Sequence, residues 1–180
     1  MIWFTSDTHF GAERTLNLSK RPFKSVSEMN DELINNWNNV VAEDDIVYHL
    51  GDFGDYTIIK QLKGRVVLVY GNYERRDEKL INNLKDELLN MGFYKVIESG
   101  ILVENMTDEI YFNMSHEPSK HKEMSEHLFN VFGHIHKLQM IKPYGLNVGT
   151  DAHNYTPIDL DTVLHYRNAI LNFFDDEVFY

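Results

Sequence analysis

Seven side chains have the types and spacing to do chemistry together: Asp7, His9, Asp52, Asn72, His116, His134 and His136. Each offers an oxygen or nitrogen donor to a divalent metal. Each stands just after a short apolar run, where a buried strand would end. Asp7-Thr8-His9 places a carboxylate and an imidazole two residues apart, and on extended chain positions i and i+2 face the same way. Gly51-Asp52 and Gly71-Asn72 repeat one pattern, a glycine and then an oxygen donor. The glycine lets backbone approach closely, the aspartate has two oxygens with which to bridge a metal pair, and the asparagine carbonyl suits a hard cation. Gly133-His134-Ile135-His136 is the most specific piece; its two imidazoles suit one metal or two adjacent ones. Singly, each has an ordinary explanation as a solvated loop, a helix cap or a Gly-Asn turn. Coincidence at five separate loops is a poor account of the whole set, which reads as a two-metal site for phosphate-ester hydrolysis.

The elements that must hold these donors alternate in type. Residues 1–6 read as a strand ending at Asp7. Ser25-Val26-Ser27-Glu28 matches a capping box, and Val26, Met29, Leu33, Trp37, Val40 and Val41 then recur at helical spacing. Strands follow at 45–50 and 65–70, with a short helix at 56–62 between them. A second long helix carries Leu80, Ile81, Leu84, Leu88 and Leu89 and stops at Gly92. This β-α-β-α-β-α order predicts a parallel sheet with helices on its faces. The second half is strand-rich, at 94–98, 100–104, 109–115, 130–133, 139–142 and 146–148. A polar loop or short helix spans 117–126, a late helix 159–166 and a closing strand 169–174. No internal repeat or linker interrupts the chain, so one domain over 1–180 is expected.

Composition narrows the partners. A net charge of −11 opposes non-specific nucleic-acid binding, which depends on neutralising phosphates. The absence of cysteine excludes thiolate metal sites and disulfides and fits a reducing, cytoplasmic setting. No apolar run approaches the ~20 residues needed to span a membrane. The early basic stretch of Arg14, Lys20, Arg21 and Lys24 reads as solvated surface, whereas Arg75-Arg76 follow a site loop and are candidates for a phosphate contact. Among the other histidines, His121, His127 and His165 read as surface and His49 as core, while His153 stands beside the last loop as a candidate supporting group.

Asp7-x-His9, Gly51-Asp52, Gly71-Asn72, His116 and Gly133-His134-x-His136 together resemble the calcineurin-like metallophosphoesterase superfamily, in the family's order and over residues 7–136. The resemblance implies a four-layer α/β/β/α sandwich of two mixed sheets flanked by helices. It implies two divalent metal ions, with manganese the expected ion and iron, zinc, nickel or magnesium as alternatives. Asp7, His9, Asp52 and His136 would hold one ion. Asp52, Asn72, His116 and His134 would hold the other, with Asp52 bridging. A hydroxide between the ions would attack phosphorus in line. A small phosphodiester or nucleotide is the expected substrate; a nuclease, a phosphomonoesterase or a non-catalytic scaffold are the alternatives.

One departure stands out. The family usually has Gly-Asn-His-Asp/Glu, where the histidine assists the leaving group; this chain has Gly71-Asn72-Tyr73-Glu74. Tyrosine is ordinarily a poorer acid near neutrality than histidine. Either Tyr73 has taken the role, or His153 or Arg75 has, or the enzyme is slow.

Overall fold

The computed structural model describes residues 1–123, 125–173 and 175. Its first sheet has the order β10-β1-β2-β3-β4, from β1 (Ile2–Thr5), β2 (Ile46–His49), β3 (Arg65–Val69), β4 (Lys95–Ile97) and β10 (Ile158–Asp159). β1 to β4 pair in parallel and β10 joins β1 antiparallel. The second sheet has the order β5-β6-β7-β9-β8, from β5 (Ile101–Thr107), β6 (Ile110–Ser115), β7 (Leu128–Phe132), β8 (Ile141–Lys142) and β9 (Gly145–Asn147). There β6, β7 and β9 are parallel, with antiparallel strands at both edges. Both sheets are therefore mixed, and the architecture is α/β as expected.

The alternation of side chains along the first sheet explains the layering. Trp3, Val47, Val66 and Leu68 point to one face. There they pack under α2 (Val26–Val40), through Met29, Leu33 and Trp37, and under α4 (Leu84–Met91), through Leu84 and Leu88. Phe4, Tyr48, Val67 and Val69 point to the other face, against Phe112, Met114, Phe129 and Val131 of the second sheet. Fully burying each such side chain stabilises the fold by about 1.5–3 kcal/mol. α5 (Leu160–Phe173) packs on β1, β9 and β10 through Val163 and Ile170, closing one side of the sandwich. The outer face of the second sheet is covered by the segment 117–123, in which a 3₁₀ turn spans Pro118–Lys120. Asn113 and Asn130, both buried, bond its carbonyls at Lys120 and Lys122.

Several local expectations change. The cap at Ser25 forms, its Oγ accepting from Glu28 N, but Glu28 turns back to Lys24 N instead of Ser25 N. The helix expected from Leu80 begins only at Leu84, because Asn83 sits at φ +58 and Leu80 is 79% exposed. An unexpected short helix, α3 (Asn72–Asp77), starts at the third strand end instead. The closing strand expected over 169–174 is helical as far as Phe173: Val163 and Ile170, seven residues apart, share one buried helical face; Phe174 lies outside the described residues. Among the described residues no helix is long and apolar enough to cross a membrane.

Candidate metal centre

All seven donors lie beyond the carboxyl ends of parallel strands, where open α/β sheets place their ligands. Asp7 and His9 follow β1, Asp52 follows β2, and Asn72 follows β3 by opening α3. His116 follows β6, and His134 and His136 follow β7. Both sheets thus deliver donors to one edge of the sandwich. The loops are sewn together there: Asp7 N and His9 N donate to Gly51 O and Asp52 O, and Gly133 N donates to His116 O.

Asp7 and His9 do not reach the site by strand alternation. Their backbones lie at φ +58 and +50, and Asp52, His134 and His136 are also left-handed at +57, +71 and +49. Such conformations are uncommon for residues with side chains and cluster at functional sites. Here each one turns a side chain from its strand toward a common centre.

Two groups of donor atoms converge: Asp7, His9 and His136, and Asp7, Asp52 and His116. Asp52 Oδ2 lies 3.6 Å from His9 Nε2 and 3.5 Å from His116 Nε2, so one oxygen faces both halves. Its partner Oδ1 accepts from Tyr73 N at 2.8 Å. His116 donates from Nδ1 to Leu50 O at 2.8 Å, which leaves its Nε2 with a lone pair. His134 Nδ1 lies 3.2 Å from that Nε2 and 3.2 Å from Asn72 Nδ2. The two imidazole nitrogens of His116 and His134 thus face each other, and a cation there would satisfy both; Asn72 turns its amide nitrogen to His134 and would ligate only with its carbonyl turned inward.

Whether a metal fits can be judged from atoms left without partners. Asp7 Oδ1 and both ring nitrogens of His9 are buried without a hydrogen bond. Buried polar atoms are normally satisfied, and these face one another, His9 Nε2 being 3.8 Å from Asp7 Oδ1. Burial, despite Asp7 nearby, pushes His9 down to about 3, so its imidazole is neutral and fit to ligate. Burial alone would raise Asp7, but the facing His116, His9 and His136 outweigh it and hold the carboxyl below its ordinary range. Burial raises Asp52, with His116 opposing; a divalent cation would reverse that. An oxygen- and nitrogen-lined site with these open valences suits divalent ions.

Four supporting residues stand outside the expected donor set. Arg21, expected at the surface, is buried and grips Asp151 from Nε and Nη2 at 2.9 and 2.8 Å. Asp151 Oδ2 in turn accepts from His136 Nδ1 at 2.7 Å, so His136 Nε2 faces the cluster. Despite its burial, Asp151 is pulled down to about 2 by His136 and Arg21. Arg21 also donates to the Asp7 and Thr8 carbonyls. Glu74 accepts from the backbone N–H groups of Asp52, Phe53 and Gly71, clamping two strand-end loops together. Its place three residues after a glycine at a helix start was the available clue. Asn147 donates to His136 O and so fixes that loop from β9.

The other candidates are placed as follows. Tyr73 lines the cleft over the donors, its ring 4.6 Å edge-on from His9 and 4.4 Å beneath the Arg76 guanidinium. Arg75 donates away from the cleft, to Ser99 O. His153 donates from Nε2 to Asn147 O and does not line the cleft. His49 is fully buried, Nε2 3.0 Å from Thr8 Oγ1.

Residues 1–151 match the calcineurin-like phosphoesterase superfamily domain. The chain is 30% identical over 178 residues to an uncharacterized protein of Methanocaldococcus jannaschii, covering 91% of this chain and 89% of that one. It is 32% identical over 81 residues to the Gene 66 protein of a Mycobacterium phage, 40% of this chain and 39% of that one. In fold it is similar to the crystal structure of a protein of unknown function from Aquifex aeolicus. The TM-score is 0.69 at 23% identity, over 92% of this chain and 98% of that one.

Proposed function

The chain belongs to the calcineurin-like phosphoesterase superfamily, and from that membership we propose that it hydrolyses a small phosphodiester or nucleotide at a two-metal centre. The reading is carried by the unpartnered Asp7 Oδ1 and His9 nitrogens beside an Asp52 oxygen that faces both halves of the donor set. Asp7, His9, Asp52 and His136 would hold one ion, and Asp52, Asn72, His116 and His134 the other. Two divalent ions, when bound, would supply the charge that lowers the pKa of a water nucleophile and neutralises the phosphoryl oxygens.

The chain's own groups set the geometry. Arg21 and Asp151 hold His136 with Nε2 inward, and Glu74 holds the Asp52 and Asn72 loops at a fixed separation. Tyr73 occupies the place where the family usually has its leaving-group histidine, so esters with good leaving groups are the favoured substrates. The cleft of about 180 Å³ has room for a phosphoryl group with short ester arms, which fits a small substrate. We place the reaction in the cytoplasm.

The test is to strip the protein with chelator, reload it with manganese, count ions per chain, and assay bis-p-nitrophenyl phosphate. Iron, zinc, nickel and magnesium serve as comparators. Turnover that needs bound metal, at two ions per chain, is expected. Fully loaded protein with no turnover would make the scaffold alternative the correct one.

A further inference from the structure

Arg14 lies on α1 (Glu13–Leu18) and lines the cleft with His9, Asp52 and His134. Among the described residues its guanidinium has no hydrogen-bond or ion-pair partner, unlike Arg21, Arg75 and Arg76. A cation held beside a metal-binding cleft in a chain of net charge −11 needs a reason. The same helix ends at Leu18, 68% exposed, which lines both this cleft and an adjoining groove of about 260 Å³. The groove continues over Ile135 and Leu138, the latter 85% exposed, and also carries Lys137. Contiguous exposed apolar side chains at the mouth of a polar site mark a binding surface more often than chance. Sites of this kind pair an apolar wall with a few polar groups that fix orientation.

Resting on the phosphoesterase reading above, we infer that Arg14 grips a non-bridging phosphoryl oxygen while Leu18, Ile135 and Leu138 receive an apolar ester arm. The preferred substrates are then phosphate esters with an aryl or similarly apolar arm, and Arg14 and the groove set that preference. Charge complementarity and the continuity of groove and cleft commit the groove to this occupant. The groove opens directly off the cleft at Leu18, so an arm leaving the phosphoryl group can run along it.

The experiment measures binding and turnover separately on the metal-loaded protein. Phenylphosphonate and methylphosphonate are compared by calorimetry, and bis-p-nitrophenyl phosphate and methyl p-nitrophenyl phosphate by initial rates. Phenylphosphonate should bind about tenfold tighter, as ring burial predicts. Leu18→Ser combined with Leu138→Ser should erase that difference and raise KM for the diaryl ester only. Arg14→Gln should weaken both phosphonates about tenfold, as loss of a charge-assisted hydrogen bond does, and Arg14→Lys should restore part of it. These side chains are exposed, and unchanged thermal melting would exclude misfolding. Equal binding of the two phosphonates, or variants that bind like wild type, overturns the inference. Phenyl preference without turnover of either ester leaves the groove standing and removes the phosphoesterase reading. Turnover that ignores the second arm and all the variants does the opposite.

Discussion

At the residue scale, the centre depends on side chains that touch no substrate. Asp151 orients His136 and is itself held by Arg21. Removing such a carboxylate partner of a ligating histidine typically costs 10–100-fold in metal affinity. Asp151→Asn is therefore expected to lower affinity by about that factor, read by competition with a chelator, while the protein stays folded. An unchanged affinity would mean that His136 is oriented by its loop alone. Tyr73 is the residue where chemistry and family pattern part. Its ring is fixed between His9 and Arg76, so a histidine there would enter a position already lining the cleft. Tyr73→His should raise turnover of esters with poor leaving groups by on the order of 10², as general acids do, and leave p-nitrophenyl esters nearly unchanged. A rate that stays level or falls on alkyl esters would show that Tyr73 is no handicap.

At the element scale, close packing of the strand-end loops sets the spacing of the donors. A Cβ on Gly133 would lie 2.0 Å from Ser6 Oγ and 2.4 Å from Asp7 Oδ2. Neither neighbour can retreat, since Ser6 is fully buried at the end of β1 and Asp7 Oδ2 accepts from His134 N. Gly133→Ala should therefore destabilise the metal-free protein by about 1–3 kcal/mol or more, the usual cost of overpacking. It should also displace Asp7 and weaken metal binding. Urea unfolding and metal titration check the two effects independently; a variant that melts and binds as wild type would show that the loop yields freely. The glycine before His134 thus serves close approach between the two sheets, in addition to the turn it makes.

At the scale of the whole molecule, the metal-free protein should be sensitive to acid. Burial depresses His9 and His49, each to about 3. In the unfolded chain both titrate near 6.5. Between those values the unfolded state binds protons that the folded state does not, so stability rises with pH and falls as pH drops below ~6.5. Each histidine contributes a loss of up to about 1.4 kcal/mol per pH unit, ending near its folded value. The raised carboxyls of Asp52 and Glu74, both raised chiefly by burial, act in the opposite sense. For this reason the difference in urea stability between wild type and His49→Gln, followed from pH 7 to pH 5, isolates one histidine's share. Equal slopes for the two proteins would remove His49 from the account. Divalent metal should raise stability across this range without flattening the histidine slope, because it binds the folded state, in which His9 is already neutral.

Much of this was legible in the chain. Unbroken apolar runs within 1–6, 45–50 and 65–70 and the helical repeat of Met29, Leu33 and Trp37 are local features of the chain, and they predicted the parallel half of the fold. The seven donors could be read because strand ends are marked by glycine and by the end of an apolar run. The helix at 169–173 and the break at Asn83 were not legible, since short apolar runs suit either period until packing chooses. Nor were Arg21 and Asp151: a buried ion pair 130 residues apart in sequence leaves no spacing to detect. The sequence by itself determined which donors exist and at which strand ends they stand. Only the tertiary structure decided that they meet, that one oxygen of Asp52 faces both halves, and that Arg14 and an apolar groove flank them. Those facts depend on left-handed backbone turns and on two sheets sharing one edge, neither of which is a local property of the chain.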